Sequence, residues 1–143
     1  MYEMYLMQLL LFWSKRINER NIWMKIKLLK EKNVDIALVS SDEKVIVDTQ
    51  SALDLAITVK YETGTNKIIM DKRNISDEFF ILSSGMAGEI LQKFINYHIK
   101  IAIYGDYSGY TSIPLKDFIY ESNKGKDVFF VSTLDEAVDM LTR

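Results

Sequence analysis

The chain of 143 residues contains no cysteine, one histidine and one proline. The missing cysteine excludes disulfides, thiolate nucleophiles and cysteine metal sites, and it fits a reducing, cytoplasmic setting. His98 alone cannot build a multi-histidine centre, and no carboxylate pair stands around it at a metal-ligand spacing. No metal or cofactor is therefore expected, and His98 reads as a structural or surface residue. One proline and six glycines are too few for a disordered or low-complexity chain. A basic stripe with interleaved aromatics is also missing, so there is no footprint for nucleic acid. The longest apolar stretch falls short of the roughly 20 residues of an integral membrane segment.

What remains has the balance of an ordinary globular protein, with 48% hydrophobic and 27% charged residues and a net charge of −2. Residues 1–23 differ from the rest. They open on the apolar run MYEMYLMQLLLFW, and Lys15, Arg16 and Arg20 against Glu3 and Glu19 leave them at +1, hence −3 for residues 24–143. No positive charge precedes the run and no small-residue cleavage site follows it, so a secretory signal is not expected here. The stretch reads as an N-terminal extension outside the domain. Its alternative is an amphipathic helix with a stripe of Tyr2, Tyr5, Leu6, Leu9 and Leu10, docking on a partner or membrane surface.

Residues 24–143 read as a single α/β domain with a mixed, mostly parallel sheet of about five strands and four helices. Ile26–Lys30 and Val34–Val39 flank a tight turn at Lys32-Asn33, and Val34, Ile36 and Leu38 alternate with period two. Lys44–Val47 is a further short extended piece. Ser51–Tyr61 reads as a helix ended by Gly64 and, with only a narrow polar stripe of Ser51, Asp54 and Thr58, as one buried on most sides. Lys67–Met70 follows as a buried strand. Ser76 with Asp77 and Glu78 marks a helix start, and Leu82, Met86, Ile90 and Phe94 form its apolar face. Ile99, Ile101 and Ile103 line a strand. Pro114 and Gly125 bracket a third helix with Leu115, Phe118 and Ile119. Val128–Val131 is the last strand, and Thr133 with Glu136 caps a final helix. Strands alternating with helices call for parallel neighbours with helices packed on them.

Two segments could carry function. One is Ser83-Ser84-Gly85-Met86-Ala87-Gly88, within or at the start of the second helix. The other is the loop Gly105, Asp106, Tyr107, Ser108, Gly109, Tyr110, Thr111 and Ser112, which follows a strand and precedes a helix. Ligands of α/β proteins bind at such a place, and its hydroxyls could serve an anion. The bland alternative is a polar turn in which Thr111 or Ser112 caps the helix. Neither segment has the spacing of a nucleophile elbow, a Walker loop or a dinucleotide fingerprint. A weak hydrolase around Ser108 with Asp106 would need a base, and His98 stands at the far end of the intervening strand. No catalytic residue is assigned. The charged face Lys116, Asp117, Glu121, Asn123 and Lys124 reads as solvated.

Three runs, Asp48-Thr-Gln-Ser-Ala-Leu-Asp-Leu, Ser84-Gly-Met-Ala-Gly-Glu-Ile-Leu-Gln-Lys-Phe and Leu115-Lys-Asp-Phe-Ile-Tyr-Glu-Ser-Asn-Lys-Gly, resemble a bacterial family of unknown function, DUF4180, over about Met24 to Leu141. The order of elements is more distantly similar to STAS domains, the fold of anti-sigma-factor antagonists. In that group a serine at the start of the second helix is phosphorylated by a partner kinase. The resemblance implies a non-enzymatic regulatory module with a protein partner. Ser83 matches the phosphorylated position and Ser84 follows it, although Leu82 stands where that motif carries an acidic residue. Homo-oligomerisation is left open.

Overall fold

Lys32 and Asn33 both adopt positive φ, 53° and 64°, the geometry of the two-residue hairpin turn whose twist matches its flanking strands. That turn joins β2 (Ile22–Glu31) to β3 (Val34–Ser40) in the computed structural model, which describes residues 12–17 and 22–143. On the other side of β2 runs β1 (Phe12–Ile17), antiparallel to it from Phe12 opposite Lys27 to Ile17 opposite Ile22. This strand lies in the stretch that composition sets apart, and β2 starts two residues before Met24 with Ile22 buried. The stripe from Tyr2 to Leu10 lies outside the described residues.

Beyond β3 the sheet continues with β4 (Lys67–Asp71), β5 (Lys100–Tyr104) and β6 (Val128–Val131), each parallel to its predecessor. The result is a six-stranded mixed sheet in the order β1-β2-β3-β4-β5-β6, with three parallel pairs out of five. The described residues form four α-helices: α1 (Thr49–Thr63), α2 (Met86–Asn96), α3 (Ile113–Lys124) and α4 (Leu134–Leu141). The three crossover helices share one face. There Ile26, Val39, Ile68, Met70, Ile101, Ile103 and Phe130 meet Leu55, Val59, Ile90, Phe94 and Leu115. Among the described residues the opposite face carries α4 alone, packed through Ala137, Val138 and Leu141 on Ile69, Ala102 and Phe129. Strands added in one direction, with their crossovers on one side, leave no reversal of strand order, the place where doubly wound sheets open a ligand crevice.

Helix boundaries follow their caps. Asp48 accepts from Ser51 N while Ser51 Oγ accepts from Asp48 N, closing a capping box on α1, and Gly64 ends the helix at φ 79°. Ser112 Oγ accepts from Leu115 N and Thr133 Oγ1 from Glu136 N at the starts of α3 and α4. At the end of α2, Ile99 N donates to Phe94 O and His98 N to Ile95 O. That is the Schellman arrangement, with buried Phe94 and Ile99 as its hydrophobic contact. His98 takes the left-handed position at φ 60°, usually held by glycine.

Two expectations change. The helix expected from Ser76 is a pair of 3₁₀ turns, Asp77–Phe80 and Leu82–Ser84, and α2 begins only at Met86. Phe79 to Leu82 are four consecutive apolar residues, and an α-helix would spread them over every face. The tight turns instead bury the adjacent Phe79 and Phe80. The extended piece Lys44–Val47 contributes only an isolated parallel bridge, Ile46 to Ile75. Asn74 holds it in place: its carbonyl accepts from Val45 N and Ile46 N, and its buried side chain donates to Ser41 O and Glu43 O.

Candidate functional site

The two segments singled out in the sequence meet at the carboxyl ends of β4 and β5. The turns after Ser76 pin themselves to the core with Phe79 and Phe80. Phe80 then stacks on Tyr110 at 5.6 Å between ring centroids and 22° between planes. It also meets Tyr107 at 6.0 Å and the edge of Phe130 at 6.3 Å. Tyr107 stands perpendicular to Phe130 at 5.9 Å. Offset and edge-on pairs of this kind each add about 0.5–1.5 kcal/mol beyond burial, so the cluster ties the loop after β5 to the turns before α2.

Lys72, just past β4, lays its ammonium against this cluster, 4.7 Å from the Tyr110 ring centre and 5.6 and 5.8 Å from those of Phe80 and Tyr107. Its stem explains Gly105: a Cβ there would stand 2.7 Å from Lys72 Cβ, closer than two carbons approach. Lys72, Phe80 and Phe130 were not singled out as site residues from the sequence, and Tyr107 and Tyr110 only as members of the loop. The residues are scattered over 59 positions, from Lys72 to Phe130, and only the strand order brings them together.

Within the loop Gly105–Ser112 the polar groups serve the loop itself. Ser108 donates to Asp106 Oδ1 from both its N–H, at 2.9 Å, and its hydroxyl, at 2.6 Å. These bonds hold the exposed Asp106 carboxyl below the usual aspartate range. Tyr107 donates its hydroxyl to Ile103 O at 2.7 Å, and burial pushes its phenol well above the ordinary tyrosine value. Tyr104, opposite Asp71 on β4, is also pushed up, first by burial and then by the Asp71 carboxylate, against the opposing effect of Arg73. Asp71 itself binds Arg73 through the backbone N–H and Nε. Thr111 is exposed, and of the two expected caps Ser112 is the one used.

Ser108 therefore faces a carboxylate of lowered basicity, a poor general base, while His98 sits at the opposite end of β5 with its ring exposed. An anion would meet Asp106 and the Tyr107, Ser108 and Ser112 hydroxyls, which are already engaged. Among the described residues no group of three or more metal-ligating side chains comes together.

Ser83 and Ser84 differ. The Ser84 hydroxyl donates to Glu78 O at 2.9 Å and accepts from Met86 N at 3.2 Å, so it stitches the turn to the first helical residue. Ser83 is exposed, and its hydroxyl has no partner among the described residues. Two residues after it Gly85 caps α2 in the left-handed conformation, φ 81°, which lets the chain swing from 3₁₀ turn to helix at no steric cost. Ser83 lines a groove of about 530 Å³ together with Phe80, Ile81, Leu82, Ser112 and Pro114. The starts of α2 and α3 therefore share one surface, flanked by Ile81 and Ile113, 55% and 69% exposed.

No helix among the described residues is long and apolar enough to cross a membrane. A family model described as a domain of unknown function, DUF4180, matches residues 31–141. No curated protein and no solved structure matches the chain.

Proposed function

The chain belongs to the DUF4180 family, and we propose that it works as a STAS-like regulatory module in the cytoplasm, binding a partner protein through the surface around Ser83. The observation that carries this reading is the exposed Ser83 hydroxyl on the groove between the starts of α2 and α3. A phosphate there adds about −1.5 to −2 charges. The nearby α2 N-terminus receives negative charge favourably, by about 0.3–1 kcal/mol, while exposed Asp77 and Glu78 oppose it. The two effects offset, so the fold tolerates the modification. The partner does not: Ile81 and Ile113 offer an apolar contact, and a dianion placed between them must be desolvated for docking. Ser84 is a structural cap in this reading, and the Gly105–Ser112 loop supports the surface through the Phe80–Tyr110 stack.

The test is affinity capture from the native lysate with the wild-type chain, Ser83→Ala and Ser83→Asp as parallel baits. A protein retained by the first two and lost from the third is expected. Identical captures by all three, or none by any, would overturn the reading.

A further inference from the structure

The α1 helix buries Ala52, Leu55, Ala56 and Val59 on the sheet, yet its outward stripe is also apolar. Ile57 is 60% exposed and Tyr61 86%, and beside them Tyr97, just past α2, is 59% exposed. Together with Leu53, Ala56, Lys60 and His98 they line a groove of about 550 Å³. A helix apolar on opposite sides is normally covered on both, which the described residues of one chain do not achieve.

We propose that a second copy of this chain covers it, with the two α1 helices packed antiparallel across a two-fold axis at Ile57. The stripe is complementary to its own reversal. Pairing about Ile57 sets Leu53 against Tyr61 of the other copy, and Asp54 against Lys60 of the other copy. Within one chain neither charge has an ionic partner among the described residues: Asp54 accepts from Gln50 Nε2, and Lys60 donates to Gly64 O. A two-fold interface requires such self-complementarity, which an unrelated partner would not. Tyr61 is the knob, and the groove over Leu53, Ala56 and Tyr97 is the hole that receives it. Two largely exposed tyrosines and an isoleucine offer on the order of 400 Å² per copy. With the polar rim the pair reaches about 1,000 Å², the lower bound of specific interfaces, and the dimer is accordingly a weak one. Ser83 precedes α2 and this groove adjoins its other end, roughly 16 Å along the helix, so the two surfaces are independent.

Sedimentation of the full-length chain decides the matter. At about 200 μM the mass should move from the 16.6 kDa of one chain towards twice that value, with a micromolar dissociation constant. Asp54→Lys and Lys60→Asp should each weaken association about tenfold or more, and an equimolar mixture of the two should restore it, because each copy then meets opposite charge. Ile57→Cys, the sole cysteine of that variant, should cross-link under mild oxidation. Thermal melts confirm that each variant is folded. A monomer throughout the concentration range would overturn the proposal. So would a dimer indifferent to both charge reversals, or a mixture that fails to recover.

Discussion

Asn123 near the end of α3 provides the sharpest stability test. Among the described residues β6 has a neighbouring strand on one side only, and Asn123 binds its outer edge as a further strand would. Its Oδ1 accepts from Phe130 N at 2.7 Å and its Nδ2 donates to Phe130 O at 3.0 Å. Phe130 is buried, and its ring meets Phe79, Phe80, Tyr107 and Phe118, so this clasp supports the aromatic cluster under the candidate site. Asn123→Ala removes two bonds worth about 0.5–1.5 kcal/mol each and leaves a backbone pair unsatisfied until water reaches the edge. The expected loss is about 2–3 kcal/mol. A chain of this length unfolds with an entropy of roughly 0.3 kcal/mol per degree, so Tm should fall by about 7–10 °C. Asn123→Asp keeps the acceptor and loses the donor, and should fall between. Urea denaturation should show a lower midpoint at an unchanged slope. An alanine variant within about 0.5 kcal/mol of wild type would refute the clasp.

Three further outcomes follow from the geometry. Ser84→Ala should destabilise by about 0.5–2 kcal/mol through the lost stitch to Met86 and Glu78, while Ser83→Ala should melt with wild type; equal melts for the two would contradict the division between them. Asp106 should titrate below ordinary aspartate by carboxyl NMR and move upward in Ser108→Ala. Because its folded pKa is depressed, its contribution is present at neutral pH and lost only as pH falls through that lowered value; an unchanged midpoint in Ser108→Ala would remove the hydrogen bond as the cause. His98→Gly should raise stability by roughly 0.5–1 kcal/mol over His98→Ala, since only glycine takes the left-handed position without strain; a glycine variant no more stable than alanine would refute the Schellman assignment.

Local rules carried most of the architecture. Period two at Val34, Ile36 and Leu38 and a turn-forming Lys32-Asn33 suffice for the hairpin, and caps at Gly64, Ser112 and Thr133 mark helix ends. Where they misled, tertiary burial won over a local signal. Ser76-Asp77-Glu78 is a sound helix start, but burying Phe79 and Phe80 side by side takes a 3₁₀ turn. The apolar faces of α1 suggested burial on most sides, whereas Ile57 and Tyr61 stay exposed among the described residues. The composition break at residue 23 signals no strand boundary, because β2 pairs through it with β1, Arg16 opposite Trp23 and Ser14 opposite Lys25. Of the candidate site, the serines and the loop were legible as segments. Their meeting was not, since it depends on Lys72, Phe80 and Tyr110 converging across parallel strands.

The central claim, that Ser83 is the regulated position, is tested most directly by phosphosite mapping of the chain recovered from the cells that make it. The account predicts phosphate on Ser83 in a fraction of molecules, with Ser84 unmodified because its hydroxyl is engaged at the helix start. A chain bearing no phosphate at Ser83 under any growth condition, or bearing it on Ser84 instead, would contradict it.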